Sequence, residues 1–109
     1  MAYSEGLADR VRDALGPRPG VDERKMFGGI VWMVDGNMAC GVMGDDLMVR
    51  LDRAEVPGAL GEEHVEPMEM TGRRMGGFVV VGAAGIASEE ELSGWVEAGV
   101  DYADSLPSK

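Results

Sequence analysis

The sequence is poor in the residues that carry most metal and nucleophile chemistry. It has one cysteine, Cys40, and one histidine, His64, among 109 residues. A single cysteine excludes an intramolecular disulfide, and a structural zinc site usually needs four clustered thiolate or imidazole ligands. We therefore predict no metal, no cofactor and a reducing, cytoplasmic setting.

Basic residues and long apolar runs are also scarce. Lys and Arg number 10 against 20 Asp and Glu, which gives a net charge of −10. Because a strongly anionic surface repels a duplex, a general nucleic-acid binder is disfavoured. The longest apolar run, FVVVGAAGIA at 78–87, falls short of the roughly 20 residues that a membrane helix needs. The acidic segment MAYSEGLADR at 1–10 is no signal peptide. We expect neither nucleic acid nor a membrane as partner.

Two helices are indicated at the ends of the chain. Apolar residues recur at helical spacing over residues 4–15, and Ser4 is placed to cap that helix. Near the other end, Ser88 and Glu91 form a capping box in front of an apolar stripe that includes Trp95. We predict an amphipathic helix in both places.

A strand meander is indicated over residues 22–51. Asp35-Gly36 is a two-residue hairpin signal that would pair Val31 with Cys40, and a second turn is predicted at 44–45. This register gives two sheet faces. The predicted core face carries Val31, Met33, Met38, Cys40, Val42, Leu47, Val49 and Leu51. The other face, which is also largely apolar, carries Ile30, Trp32, Val34, Asn37, Ala39, Gly41, Met43, Met48 and Arg50.

Shorter elements complete the predicted fold. Residues 53–60 indicate a short helical segment, 64–70 an edge strand because of Pro67, and 75–81 a buried strand. The prediction is an α+β class: two layers, with an antiparallel sheet and the order α-β-β-β-α-β-β-α. We expect one domain over residues 1–109.

No catalytic constellation is visible, so we predict that the protein is not an enzyme and has no catalytic residue. Cys40 lies on the predicted core face, where a thiol is inert unless it has a redox role. His64 lies among glutamates, and a solvated surface histidine is favoured over a general base. No nucleophile–base pair is indicated. An enzyme of an unrecognised kind remains the third alternative.

Methionines recur every five residues between 33 and 48. The register accounts for the spacing without a metal, and methionine surfaces repack to suit partners. One interpretation is an interaction face on the second side of the sheet, carried by Ile30, Trp32, Met43 and Met48. The other interpretation is that a helix of the same chain covers that face.

Two strings, RKMFGG at 24–29 and RRMGGF at 73–78, place basic residues ahead of a double glycine. The glycines allow a bend or bulge, and Phe27 is predicted to anchor the first turn. If the strings lie close together, a basic spot would form that binds an anion or an acidic partner. Alternatively, neighbouring carboxylates pair with these charges. The residues of the predicted spot are Arg24, Lys25, Arg73 and Arg74.

Several stretches resemble the TfoX N-terminal domain (TfoX/Sxy-like) family, and together they cover nearly the whole chain. They are KMFGG at 25–29, DGNMACGV at 35–42, DDLMVRL at 45–51, TGRRMGGFVVV at 71–81 and the final helix with Trp95. The resemblance implies a small two-layer α/β domain with an antiparallel sheet, in a bacterial cytoplasm. It implies no catalytic residue.

The family takes its name from regulators of competence for DNA uptake, whose longer members carry a second, helical domain. We expect no such domain in a chain that ends at Lys109, so the regulatory role transfers poorly. The leading hypothesis is a non-enzymatic regulatory or adaptor domain that acts by protein–protein contact, with a homodimer as one arrangement. The alternative is an anion- or nucleic-acid-linked regulator of transcription or competence that uses the basic spot.

Overall fold

A six-stranded antiparallel sheet organises the molecule. The computed structural model describes residues 3–26, 28–70 and 72–107. The strands follow the order β1-β2-β3-β4-β6-β5 across the sheet, and each neighbouring pair is antiparallel. The elements are α1 (Glu5–Leu15), β1 (Val21–Met26), β2 (Gly29–Val34), β3 (Asn37–Met43), β4 (Asp46–Arg50), α2 (Val56–Leu60), β5 (Val65–Met70), β6 (Arg73–Val81), a 3-10 turn (Ala83–Ile86) and α3 (Glu89–Asp104).

The predicted α+β class with an antiparallel sheet is confirmed. The meander holds one strand more than the predicted order, because the segment before the first double glycine forms β1 and pairs with β2. As predicted, β5 lies at an edge of the sheet. There Pro67, which has no N–H to donate, removes no hydrogen bond from a central strand.

Local hydrogen bonds explain where the two long helices begin. The Ser4 hydroxyl accepts the Leu7 N–H at 3.1 Å in front of α1. The predicted capping box opens α3: the Ser88 hydroxyl accepts the Glu91 N–H at 3.0 Å, and the Glu91 carboxylate accepts the Ser88 N–H at 3.2 Å. Each cap satisfies backbone N–H groups that have no partner inside the helix.

The hairpin between β2 and β3 contains the main departure from the predicted register. Its turn is the expected one, with positive φ at Asp35 and Gly36, the conformation of a type I′ turn. Beyond the turn the register shifts by one residue, so Cys40 lies opposite Trp32. The predicted pairing of Val31 with Cys40 is therefore wrong, and Val31 pairs with Gly41 instead.

This β-bulge exchanges the faces of β2. Side chains alternate between the two faces along a strand. A shift of one residue in the pairing of β2 with β3 therefore moves every β2 side chain to the face opposite the predicted one. Ile30, Trp32 and Val34 therefore join the helix-side core, together with Ala39. Val31 and Met38, which were predicted in the core, lie on the opposite face.

The helices pack on one side of the sheet. Buried residues of α1, α2 and α3 all belong to the cluster that contains Trp32 and Leu47. Helix α3 crosses β2, β3 and β4, while α2 lies against β5 and β6. At its closest approach α3 presents Gly99, where a Cβ atom would lie 2.4 Å from the carbonyl oxygen of Ala39. Only a glycine allows the helix to lie this close to the bulge.

The exposed edge strand β1 is anchored through one carboxylate. Glu23 Oε1 accepts the indole N–H of Trp32 at 2.9 Å and the Nε–H of Arg12 at 2.7 Å. The Arg12 guanidinium also lies 6.0 Å from the centre of the Trp32 ring. The hydrogen bond from Arg12 lowers the pKa of Glu23, partial burial opposes that shift, and the bond from Trp32 adds to it. This contact ties α1, β1 and β2 together.

We predict opposite effects for two alanine substitutions in α3. Gly99→Ala should lower the free energy of unfolding by about 2 kcal/mol, because the overlap is with backbone and overpacking costs roughly 1–3 kcal/mol. Gly94→Ala is the matched control, since nothing lies within 4 Å of its added Cβ. That variant should gain about 0.5–1 kcal/mol from helix propensity. Urea unfolding of both variants measures this, and equal stabilisation by both would refute the close contact at Gly99.

We predict that Glu23→Gln removes a pH-dependent part of the stability. Because the pKa of Glu23 is lowered from its ordinary 4.5, its contribution is complete above pH 4.5 and is lost as the pH falls through the folded-state pKa. The side chains of Glu23 and its partner Arg12 are both more than a third exposed. The variant should therefore lose about 0.5 kcal/mol of the free energy of unfolding at neutral pH. Urea unfolding at a series of pH values should show that the difference in free energy of unfolding between wild type and variant disappears in acid. The same change at exposed Glu62 is the control, and a difference that persists in acid contradicts the assignment.

Candidate functional site

Cys40 and His64 lie in unrelated surroundings. The Cys40 side chain is fully buried in the helix-side core, and burial raises its pKa to about 12. His64 is exposed in the turn before β5, with its Nε2 atom 3.7 Å from a carboxylate oxygen of Glu63. A thiol kept neutral at physiological pH is neither a nucleophile nor a metal ligand. Among the residues described, no group of three His, Cys, Asp or Glu could hold a metal ion.

His64 lines a cavity of about 660 Å³ between the α2–β5 turn and α3. The other ionisable groups in its lining are four glutamates, Glu62, Glu63, Glu90 and Glu91. The last two lie in the first turn of α3, where the helix dipole favours negative charge, and Glu91 is also part of the capping box. Glu90 and Glu91 therefore have structural reasons for their positions, and the four carboxylates disfavour a phosphate at this helix end.

The second side of the sheet carries a continuous apolar surface, which we call the methionine face. Three of its residues are almost fully buried and six are half-buried, and every strand contributes at least one. It contains six of the nine methionines of the chain, and its members among the described residues all come from strands. Its residues are Val31, Met48, Met68, Met26, Met38, Met43, Met75, Phe78 and Val80.

A missing side chain explains how residues on this face are buried without a helix over them. Gly41 lies between Val31 and Met48 in one cross-strand row. A Cβ atom there would lie 2.8 Å from Val31 Cγ1 and 3.0 Å from Met48 Cε. The two larger side chains close over the glycine, and each is only 1% exposed.

The predicted interaction residues do not share a face. Met43 and Met48 lie on the methionine face, but Ile30 and Trp32 are buried beneath the helices. The bulge in β3 is the cause, because it places each β2 side chain on the face opposite to the one that an uninterrupted register would give. The sequence therefore predicted an apolar second face correctly but placed the wrong β2 residues on it.

The predicted basic spot does not form. Arg24 and Lys25 lie on β1, whereas Arg73 and Arg74 lie on β6, with three strands between them. Four strand spacings correspond to about 19 Å. Arg24 is paired with Asp22 at 3.0 Å, as the alternative interpretation proposed for these charges.

One of the four residues of the predicted spot belongs to a different group of arginines. Arg74 lines a cleft of about 350 Å³ together with Arg50, the last residue of β4, and Arg53, which follows that strand. We call this the arginine cleft. Its remaining lining residues are Leu51, Asp52, Met75, Gly76, Gly77, Phe78 and Tyr102. Sequence reasoning missed Arg50 and Arg53 because they approach Arg74 only through the pairing of β4 with β6, which are not consecutive along the chain.

The two double glycines have different structural roles. In the first string Gly28 has φ 76°, and a Cβ atom on Gly29 would lie 2.3 Å from the carbonyl oxygen of Val42. The predicted anchor, Phe27, lies outside the described residues. In the second string a Cβ atom on Gly76 would lie 3.2 Å from Arg53 Nη1. The first pair serves a tight turn and a close strand approach, and the second leaves room for an arginine.

These features define the protein as a small α+β domain with one helix-covered sheet face and one apolar sheet face without a helix. The chain belongs to the TfoX N-terminal domain family, whose model matches residues 13–103. No curated protein and no solved structure matches the chain significantly. Membership of the family suggests a regulatory or adaptor domain. No helix within the described part of the chain is long and apolar enough to cross a membrane.

We predict that the Cys40 thiol is unreactive in the folded protein. Its pKa of about 12 lies above the ordinary 9.0, so its contribution to stability is complete below pH 9.0 and is lost as the pH rises towards 12. Alkylation should be slow in buffer and fast in denaturant. The stability gap between wild type and Cys40→Ala should narrow above pH 9.0 in urea unfolding. Rapid alkylation of the native protein would contradict this assignment.

Proposed function

We propose that this chain is a non-enzymatic regulatory domain that acts by protein–protein contact through the methionine face, with a second copy of the chain as its partner. The observation that carries the proposal is the apolar surface on a sheet face to which, within the described ranges, no helix contributes a residue. The buried thiol, the isolated histidine and the structural roles of the glutamates support a function without catalysis. Family membership supports a regulatory role in a bacterial cytoplasm.

The composition of the methionine face suits a contact surface. Methionine side chains are flexible and polarisable, so they adapt to an opposing surface at small cost. Six of the residues on this face are only half-buried, and covering them would remove further apolar area from water. A contiguous apolar surface that remains partly exposed is a feature of interaction sites.

Charges at the two edges of the face favour a second copy. One cross-strand row begins at Arg24 on β1, passes through Val31, Gly41, Met48 and Val80, and ends at Glu66 on β5. Cross-strand partners point to the same side of a sheet, so the apolar centre of this row has a basic end and an acidic end. An apolar centre with a polar rim is the usual anatomy of an interface.

A two-fold axis parallel to the strands would make these ends complementary. It would stack the methionine faces of two copies with β1 of one over β5 of the other. Arg24 of each copy would then face Glu66 of its partner, which gives two equivalent ion pairs. Arg24 would have to exchange only its exposed contact with Asp22, and such a contact contributes little. A two-fold axis across the strands would instead oppose like charges.

We predict that exchanging the charges tests this arrangement directly. Glu66→Arg and Arg24→Glu should each raise the dimer dissociation constant about tenfold, because each replaces two attractions of up to about 1 kcal/mol with repulsions. The double variant should recover most of the wild-type affinity. Light scattering after size exclusion, at several concentrations, measures the effect.

Glu62→Arg makes the same charge change at an exposed residue outside the face and should leave the dimer unchanged. Circular dichroism checks that each variant is folded. A wild-type protein that is monomeric even at about 1 mM, where a contact of only about 4 kcal/mol is half-occupied, would refute the homodimer. Failure of the double variant to recover would refute the proposed axis.

A further inference from the structure

We propose that the arginine cleft binds the phosphate group of a small molecule. The cleft adds a ligand site to the domain, and the argument for it does not depend on contact through the methionine face. Four observations support it: the arginines without carboxylate partners, the ring contacts that hold one of their side chains, the local charge and the size of the cleft.

The arginines of the cleft differ from most other arginines of the structure in their partners, although Arg73, beside Arg74 on β6, likewise has no carboxylate partner within 4.0 Å among the described residues. No carboxylate among the described residues lies within 4.0 Å of the guanidinium nitrogens of Arg50, Arg53 or Arg74. Four arginines elsewhere each contact a carboxylate: Arg10 with Glu89, Arg12 with Asp9 and Glu23, Arg18 with Glu97, and Arg24 with Asp22. With twice as many acidic as basic residues in the chain, three arginines that share a cleft without a carboxylate partner point to an external anion.

One of these guanidinium groups, that of Arg50, is held by contacts that leave its hydrogen-bond donors available. Arg50 Cζ lies 5.7 Å from the centre of the Phe78 ring and 5.6 Å from that of Tyr102. Arg53 is exposed, and its Nη1 atom lies close to Gly76, where an added Cβ atom would be 3.2 Å away. Stacking on rings orients a guanidinium but satisfies few of its five N–H donors. A prearranged arginine loses less conformational entropy when it binds an anion.

The lining of the cleft is positively charged, whereas the chain as a whole is negatively charged. Its lining contains three arginines and one carboxylate, Asp52, so its formal charge is 3 − 1 = +2, on a chain of net charge −10. The Asp52 carboxylate accepts the N–H of Ala54 at 2.9 Å, which gives it a structural role in the following turn. Glu69 lies opposite Arg74 across the β5–β6 ladder, so the positive excess is confined to the cleft lining, where it would attract a small anion.

Size and chemistry indicate the class of ligand. The cleft has a volume of about 350 Å³, at the small end of the range of about 300–1,000 Å³ for small-molecule sites. Arginine binds phosphate oxygens through paired, charge-assisted N–H donors. The phosphate can come from the free inorganic ion or from a phosphorylated small molecule such as a nucleoside diphosphate. These two sources are distinguished by the experiment.

The test is a titration of the intact chain with inorganic phosphate, with pyrophosphate and with ADP at low salt. Amide NMR shifts of Gly76 and Gly77 locate the ligand, and calorimetry gives its affinity. Arg53→Gln and Arg74→Gln should each weaken binding about tenfold or more, because each removes a charge-assisted contact. Equal affinity for phosphate and ADP would identify the free ion as the ligand, and tighter binding of ADP would identify a phosphorylated molecule.

Arg18→Gln is the matched control, since it removes the same charge from an arginine that is paired with Glu97 and lies outside both the cleft and the methionine face, and it should leave binding unchanged. Three results would overturn the proposal. The first is that no ligand shifts the Gly76 and Gly77 amides. The second is that Arg18→Gln weakens binding as much as the cleft variants do. The third is that a single-stranded oligonucleotide binds more tightly as it lengthens, with a salt dependence that grows with length, because that result would indicate a nucleic-acid surface.

Discussion

The contact between α3 and the bulged strand β3 determines much of this architecture. At that point a helix backbone without a side chain, at Gly99, lies against the carbonyl group of Ala39. The bulge lets Ala39 and its neighbour Cys40 both lie on the helix side, and it sets the direction in which every side chain of β2 points. Because of this one extra residue in β3, Trp32 lies under the helices and Val31 lies on the opposite side of the sheet.

The two faces of the sheet consequently have different roles. The helix side contains the larger part of the buried core, and there α1 is joined to the start of α3 by Arg10, which donates to Glu89 and to the carbonyl group of Ile86. The members of the other side that the structure describes are all strand residues, and most of the methionines lie there.

The arginine cleft lies at the border of the methionine face. Met75 and Phe78 belong to both, since each lines the cleft and packs against the buried methionines. A ligand in the cleft and a partner on the face would therefore contact neighbouring side chains.

The sequence by itself determined the features that depend on hydrogen bonds between near neighbours in the chain. The caps at Ser4 and Ser88, the hairpin turn at 35–36 and the edge position of the strand with Pro67 were all predictable, because each follows from the chemistry of a few adjacent residues. Only the tertiary structure decided the faces of β2, the separation of Arg24 from Arg74 and the meeting of Arg50, Arg53 and Arg74. The bulge depends on how α3 packs, and the cleft depends on β6 inserting between β4 and β5, an order that local residue patterns do not specify.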